Sequence, residues 1–278
     1  MTETMTGTQP QPEIKSAVGA SMFDWKLWIY TNYDCNLSCT YCVAESSPRA
    51  ARRGLSMETV HRIVDEAVAL GFQRLFFTGG EPFILDDIYE MLAYAAARAE
   101  TIVLTNASLL RGPRLDRLAA LPRERLVVQV SLDGARPEHH DPYRGAGSWA
   151  RTVEGIRLLL ARGLSVRLAT TETPANQAHI VELHAFRRAL GIPDESHFIR
   201  PLARRGFATE GVAVDADSLV PEMTVTVDGV FWHPLASPSS TDMRVSPRIF
   251  PLADAVAAIQ QRLAAVPVQD KGKQKSVQ

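Results

Sequence analysis

Apolar and polar positions along the chain alternate between two periods. Short runs rich in β-branched and aromatic residues, at Lys26–Thr31, Arg74–Thr78, Ile102–Thr105, Leu126–Ser131, Val166–Thr170 and His197–Ile199, read as strands. Between them, apolar residues recur at helical spacing. After Ser56, a residue type suited to N-capping, Val60, Ile63, Val64, Ala67 and Val68 share one face, and Gly71 ends the helix. Asp86–Arg98 and Pro113–Leu121 predict two more helices. Ser148 is the expected cap of a helix carrying Val153, Ile156, Leu159 and Leu160 and closed by Gly163, and Asn176–Leu190 predicts the next.

Strand and helix thus alternate six times, the rhythm of βαβ units in a parallel sheet. Right-handed crossovers curl such a sheet into a full or partial barrel with helices outside. The expected fold is α/β: a (β/α)6 partial TIM-type barrel with a small C-terminal α+β extension. Beyond residue 200 the rhythm breaks. Asp228-Gly229 between the apolar runs Thr224–Val227 and Val230–His233 predicts a hairpin, and Leu252–Leu263 a final helix. The expected division is a disordered tail over 1–21, the barrel over 22–205, the extension over 206–267 and a second disordered tail over 268–278. Both tails are polar stretches that can bury little.

Composition narrows the function classes. The 278 residues include 30 Lys and Arg against 31 Asp and Glu, a net charge of −1, with 46% hydrophobic and 22% charged residues. That is the profile of an ordinary globular protein. The balanced charge gives no reason to expect nucleic acid or a membrane surface as partner. No apolar run approaches the 18 or so residues of a membrane span, and the polar start lacks the apolar core of a secretory signal. A cytoplasmic location is expected.

The three cysteines, Cys35, Cys39 and Cys42, lie within one short stretch just after the first strand. A disulfide framework would use an even number spread along a short secreted chain, so these thiols read as metal ligands. Structural zinc usually takes four ligands, but no second Cys pair exists and His61 sits on a helix well downstream. A cluster of four irons usually takes four thiolates, and three would leave one iron open for chemistry. A zinc or iron knuckle that only staples the loop is the plainer alternative.

Cys35-x3-Cys39-x2-Cys42, with Tyr41 before the last Cys, resembles the signature of the radical S-adenosylmethionine (SAM) superfamily, and the barrel rhythm over about residues 25–200 agrees. The resemblance implies that the three cysteines hold one [4Fe–4S] cluster whose unique iron chelates SAM. One-electron reduction then yields a 5′-deoxyadenosyl radical that abstracts hydrogen from substrate. Further motifs follow the strands. Thr78-Gly79-Gly80-Glu81-Pro82 matches the family's Gly-Gly-Glu-Pro motif for the SAM amino group, although Gly-Gly would also serve a plain βα turn. Thr105-Asn106 and Ser131-Leu132-Asp133-Gly134 close two strands, where barrels place ligand contacts. Asn106 suits a pocket role or an Asx turn equally, and Asp133 suits a turn or cap. The segment His139–Gly145 makes Arg144 the implied bidentate partner of the SAM carboxylate. His139 and His140 read as solvated or capping residues in a loop. Thr170–Asn176 reads as an adenine or ribose contact, or Asn176 as a simple N-cap. The implied cofactor contacts are therefore Tyr41, Gly79, Gly80, Glu81, Asn106, Ser131 and Arg144.

The hairpin ending Val230-Phe231-Trp232-His233 resembles the start of the SPASM or twitch extension. It lacks the cysteines that hold auxiliary clusters there, so a degenerate extension with no auxiliary cluster is expected. Trp232 and His233 suit either the substrate pocket or hairpin packing. The implied substrate is a peptide in natural-product or cofactor maturation, to which the basic stretch Arg200–Arg205 offers a complement. The alternatives are a sugar or other small precursor, and a catalytically silent Fe–S or SAM-binding subunit. The chemistry implies an electron donor such as a flavodoxin or ferredoxin.

Overall fold

The computed structural model describes residues 26–214, 219–239 and 241–265, and both expected tails lie outside the described residues. The elements run β1 (Lys26–Asn32), α1 (Met57–Ala69), β2 (Arg74–Gly79), α2 (Ile88–Ala96), β3 (Glu100–Thr105), α3 (Pro113–Ala119), β4 (Leu126–Ser131), α4 (Pro137–Arg144), α5 (Ser148–Ala161), β5 (Ser165–Glu172), α6 (Ile180–Ala189), β6 (His197–Pro201), β7 (Thr224–Thr226), β8 (Gly229–Phe231), β9 (Arg244–Ser246) and α7 (Leu252–Ala265). The first six strands pair in parallel in sequence order, giving the partial barrel that the strand–helix alternation predicts.

The alternation of side chains along each strand builds two layers. Leu27, Ile29, Leu75, Phe77, Val103, Val128 and Val130 face the helices and join the main core with Val60, Ile63, Val64 and Ala67 of α1. Full burial of such a side chain stabilises by about 1.5–3 kcal/mol, so the helical shell holds the strands in place. The opposite parity, Trp28, Phe76, Ile102 and Val127, forms a smaller cluster on the barrel's inner side. Trp28 and Phe76 stack there with ring centres 4.4 Å apart.

The sheet continues past the first strand. β7 pairs in parallel with β1, matching Trp28 to Thr224 and Ile29 to Val225, and β8 and β9 follow antiparallel. The strand order is β6-β5-β4-β3-β2-β1-β7-β8-β9, one sheet of nine among the described residues. Gly229, with φ +118°, opens β8 rather than sitting in the turn, because a Cβ there would overlap the Ser246 carbonyl of β9. The sequence pattern does not show β9.

Two local expectations change. The segment with His139 and His140 is not a loop but helix α4, which starts on Pro137 and contains Pro142. Its few apolar residues give no periodic signal, whereas Pro in the first turn is a normal helix start. Ser148 is the first residue of α5 rather than its cap. Asp141, within α4, accepts from Gly147 N at 2.7 Å, Ser148 Oγ at 3.0 Å and Trp149 N at 2.8 Å, and so caps α5 from the preceding helix.

Candidate active site

The cysteine loop leaves β1 and is tied down by backbone bonds to distant segments. Cys35 N donates to Ser47 O at 3.2 Å, Thr40 N to Tyr143 O at 2.9 Å, and Phe207 N to Cys42 O at 3.1 Å. Glycine at 206 is required by this contact, since a Cβ would overlap the Cys42 carbonyl. Two sulfurs receive backbone donors: Leu37 N to Cys35 Sγ and Ser46 N to Cys42 Sγ, each at 3.4 Å. Burial pushes the Cys35 thiol up to about 12 and Cys39 to about 11, with Cys42 also raised. Without a metal the three sit neutral, and a bound metal displaces their protons. Three convergent thiols, two with N–H groups aimed at sulfur, fit an Fe–S cluster, for which such bonds set the potential.

Glycines 79 and 80 meet a packing requirement within the protein itself. A Cβ at Gly79, whose φ is +133°, would overlap the Asn32 carbonyl, and one at Gly80 would overlap that of Asp34. Gly80 N donates to Asn32 O at 2.8 Å and Glu81 N to Asp34 O at 3.0 Å. The glycines thus press the end of β2 against the start of the cysteine loop. Glu81 ties the same point to β3: its carboxylate accepts from Thr105 Oγ1 at 2.8 Å, Asn106 N at 2.9 Å and Phe83 N at 3.2 Å. Burial still raises it to about 7, against the pull of those three donors.

Asn106 meets both of its readings. Its Oδ1 accepts from Ser108 N at 3.0 Å in an Asx turn, and its Nδ2 donates to Asn36 in the cysteine loop at 2.9 Å. Asp133 is a buried hub rather than a simple turn residue. Arg144 Nε donates to its Oδ2 at 2.6 Å, Tyr41 Oη to the same oxygen at 2.5 Å, and Thr171 N to Oδ1 at 3.0 Å. Burial opposes its charge, but the Arg144 guanidinium outweighs that and holds Asp133 below the usual carboxylate range. His140 is fully buried, not solvated. Its Nδ1 accepts from Asp133 N at 3.1 Å, and burial beside Arg144 lowers it to about 4. Asn176 serves this hub as well: it stands at the N-cap position of the short turn Gln177–His179, but its side chain makes no capping bond, and Nδ2 donates instead to Asp133 O at 2.7 Å and Thr171 O at 2.8 Å. His139 stacks on His179 away from the hub.

Cys35, Cys39, Tyr41, Cys42, Gly79, Gly80, Glu81, Asn106, Ser131 and Arg144 all line one cavity of about 260 Å³ at the C-terminal ends of β1–β5. The chain matches the Radical SAM superfamily over residues 29–177. It belongs to that superfamily, whose members bind SAM and a [4Fe–4S] cluster.

Three relatives place this radical SAM chain further. It is 29% identical over 189 residues to an AdoMet-dependent heme synthase of Methanosarcina barkeri, covering 67% of this chain and 54% of that one. It is 35% identical over 159 residues to the antilisterial bacteriocin subtilosin biosynthesis protein AlbA of Bacillus subtilis, covering 56% and 35%. With the mycofactocin maturase MftC of Mycobacterium tuberculosis it shares 30% over 182 residues, covering 65% and 45%. The chain therefore spans about half the length of these relatives, or less. In fold it is similar to Streptococcus suis SuiB bound to precursor peptide SuiA, at TM-score 0.60 and 21% identity over 70% of this chain and 43% of that one. It is also similar to anSMEcpe with bound AdoMet, at TM-score 0.51 and 18% identity over 64% and 50–51%.

The sequence pattern did not single out one cavity residue, Gln129, and it set another, Arg200, in a loop. Gln129, 1% exposed, is a polar residue flanked by valines in the strand Leu126–Ser131, at the parity of the inner face. Arg200, grouped by sequence with a basic loop, is instead on β6 and lines the cavity. Trp232 and His233 are buried behind the β7–β8 hairpin, and His233 lines the adjoining chamber.

Proposed function

We propose that this chain reductively cleaves SAM at a single [4Fe–4S] cluster held by Cys35, Cys39 and Cys42 and abstracts hydrogen from a peptide undergoing maturation. The observation that carries this is the convergence of three thiols on a cavity at the strand ends, beside polar groups able to grip SAM. Once bound, the cluster and SAM together supply a 5′-deoxyadenosyl radical for hydrogen abstraction. The chain's own residues provide the setting. The Leu37 and Ser46 N–H groups stabilise charge on the cysteine sulfurs. The cavity edge at Gly79 and Gly80 offers main-chain groups to the SAM amino end, with Glu81 holding that edge in place. Ser131 faces the ligand as a hydrogen-bonding group, and Asn106, its amide engaged by Asn36 and Ser108, holds the cysteine loop against the same cavity wall. Arg144, aligned by Asp133 and Tyr41, presents its guanidinium edge beyond that pair to the SAM carboxylate. Leu37, Ala44 and Leu104 exclude water from the same space.

A peptide substrate is supported by relatives named for bacteriocin biosynthesis and for mycofactocin maturation. A flavodoxin- or ferredoxin-type donor would supply the electron. With no cysteine beyond residue 42, the reading holds one cluster in this chain. No helix among the described residues is long and apolar enough to cross a membrane, and reduced thiols suit a cytoplasmic setting.

The test is 5′-deoxyadenosine formation by anaerobically reconstituted protein given SAM and dithionite. Product from the wild type that disappears in Cys35→Ala, Cys39→Ala and Cys42→Ala is the expected result. Zinc in place of iron after anaerobic isolation would overturn it. Iron and sulfide with no product, even with peptide present, would favour a silent SAM-binding subunit.

A further inference from the structure

The cysteine cavity does not end at the strand tips. A second chamber of about 280 Å³ opens from it, sharing Tyr30, Thr78, Leu104, Gln129 and Arg200, and reaches back along the barrel's inner face to Lys26 and Arg74. Trp28, Phe76 and Phe198 give it an apolar wall. Its charged lining is one-sided: Lys26, Arg74, Arg167 and Arg200 against Glu222.

Most of these charges are engaged within the protein. Glu222 bonds to Trp28 Nε1 and lies 3.6 Å from Lys26 Nζ. Arg167 pairs with Glu100 at 3.0 Å, and Arg74 has a partner of its own. Arg200 differs. Its Nε is buried with no acceptor among the described residues, and its guanidinium carbon lies 5.9 Å from the centre of the Trp28 ring. Burial lowers its pKa, and Glu222 counters that only in part. Gln129, on the same shared wall, likewise has a buried Nε2 without an acceptor. A buried donor left without an acceptor is costly, and more so on a charged group. Both donors line the wall shared by the two chambers, and neither finds an acceptor among the described residues.

We propose that Arg200 and Gln129 form a carboxylate-binding site that anchors the substrate, with its carbon chain against Trp28, Phe76 and Phe198 and the neighbouring C–H groups directed toward the cysteine cavity. A planar, singly charged carboxylate matches one guanidinium edge plus one amide N–H. On a peptide it is either an acidic side chain or the chain's C-terminus. The proposal rests on the radical SAM reading and adds the chemistry of the group it holds.

The test uses cluster-loaded protein with saturating SAM and anaerobic titration calorimetry with three probes. Acetyl-Phe-Glu-amide carries only a side-chain carboxylate, acetyl-Phe-Gln only a C-terminal one, and acetyl-Phe-Gln-amide neither. At least one carboxylate probe is expected to bind about tenfold tighter than the neutral one. Which of the two does so identifies the source. Arg200→Gln and Gln129→Leu should reduce that ratio toward one, while Arg200→Lys keeps part of it and iron content stays unchanged. Equal binding of all three probes, or no binding of any, overturns the proposal. So does a ratio that persists in R200Q while SAM affinity falls, which would assign Arg200 to the cofactor. Carboxylate preference in protein that forms no 5′-deoxyadenosine would instead remove the SAM-cleavage reading and leave the site standing.

Discussion

Arg144 and Asp133 form a buried ion pair across the mouth of the candidate site, with Nε–Oδ2 at 2.6 Å and both side chains under a tenth exposed. The pair joins α4 to the end of β4, and Tyr41 of the cysteine loop donates to the same carboxylate oxygen. Asp133→Asn keeps the shape but leaves the Arg144 charge uncompensated. Removing one partner of a buried pair costs about 3–5 kcal/mol. We expect a loss of that order by chemical denaturation, together with weaker SAM binding by calorimetry. A stability change under about 1 kcal/mol would mean that water screens the pair.

Gly80→Ala should be far more damaging than its size suggests. The new methyl meets the Asp34 carbonyl, a backbone atom with no freedom to move aside while Glu81 N and Asn32 Nδ2 both donate to it. Displacing that carbonyl shifts the start of the cysteine loop. The expected outcome is iron incorporation well below wild type at unchanged helical content. Wild-type iron content in the variant would show that the loop relaxes independently of β2.

Glu81 carries a pH dependence with a definite sign. Its folded pKa, about 7, lies above the ordinary value of 4.5 because burial disfavours its charge. In the window between, the folded state binds more protons than the unfolded one. The contribution is thus fully present below about pH 4.5 and lost as pH rises toward 7, at up to about 1.4 kcal/mol per pH unit. Glu81→Gln removes the titration. The stability of wild type minus that of the variant should therefore fall between pH 5 and pH 8. A difference that is flat with pH would place the folded Glu81 pKa near its ordinary value.

Asp141 is the cap that the sequence pattern assigns to Ser148. Asp141→Ala removes acceptors for two backbone N–H groups and one hydroxyl at the start of α5, and should destabilise by about 1–2 kcal/mol in thermal or urea melts. Ser148→Ala keeps both backbone bonds and should cost less. The reverse ranking would return the capping role to Ser148.

Much of this molecule is written in local patterns. The period-two runs from Lys26 to Ile199 and the helical stripes between them place six strands and most helices within a few residues, since each period is a property of neighbouring side chains. The spacing of Cys35, Cys39 and Cys42, and a polar motif after each strand, point to one end of a barrel for the same reason: consecutive parallel strands all end on the same face. Sequence could not decide what depends on residues far apart meeting. The Asn32 and Asp34 carbonyls require glycine at 79 and 80 through contacts that no local pattern reveals. Helix α4 lacks an apolar stripe and is held by the bonds of Asp133 to His140 and Arg144. β7 adds to β1 across nearly two hundred residues, a pairing that no local period encodes. Arg200 reads as one cation in a basic stretch until β6 closes beside β5 and puts it in the lining of the chamber that Gln129 also lines. Local periodicity sets which elements form, while the packing of strand against strand decides which polar groups are buried together, and therefore what the cavity can bind.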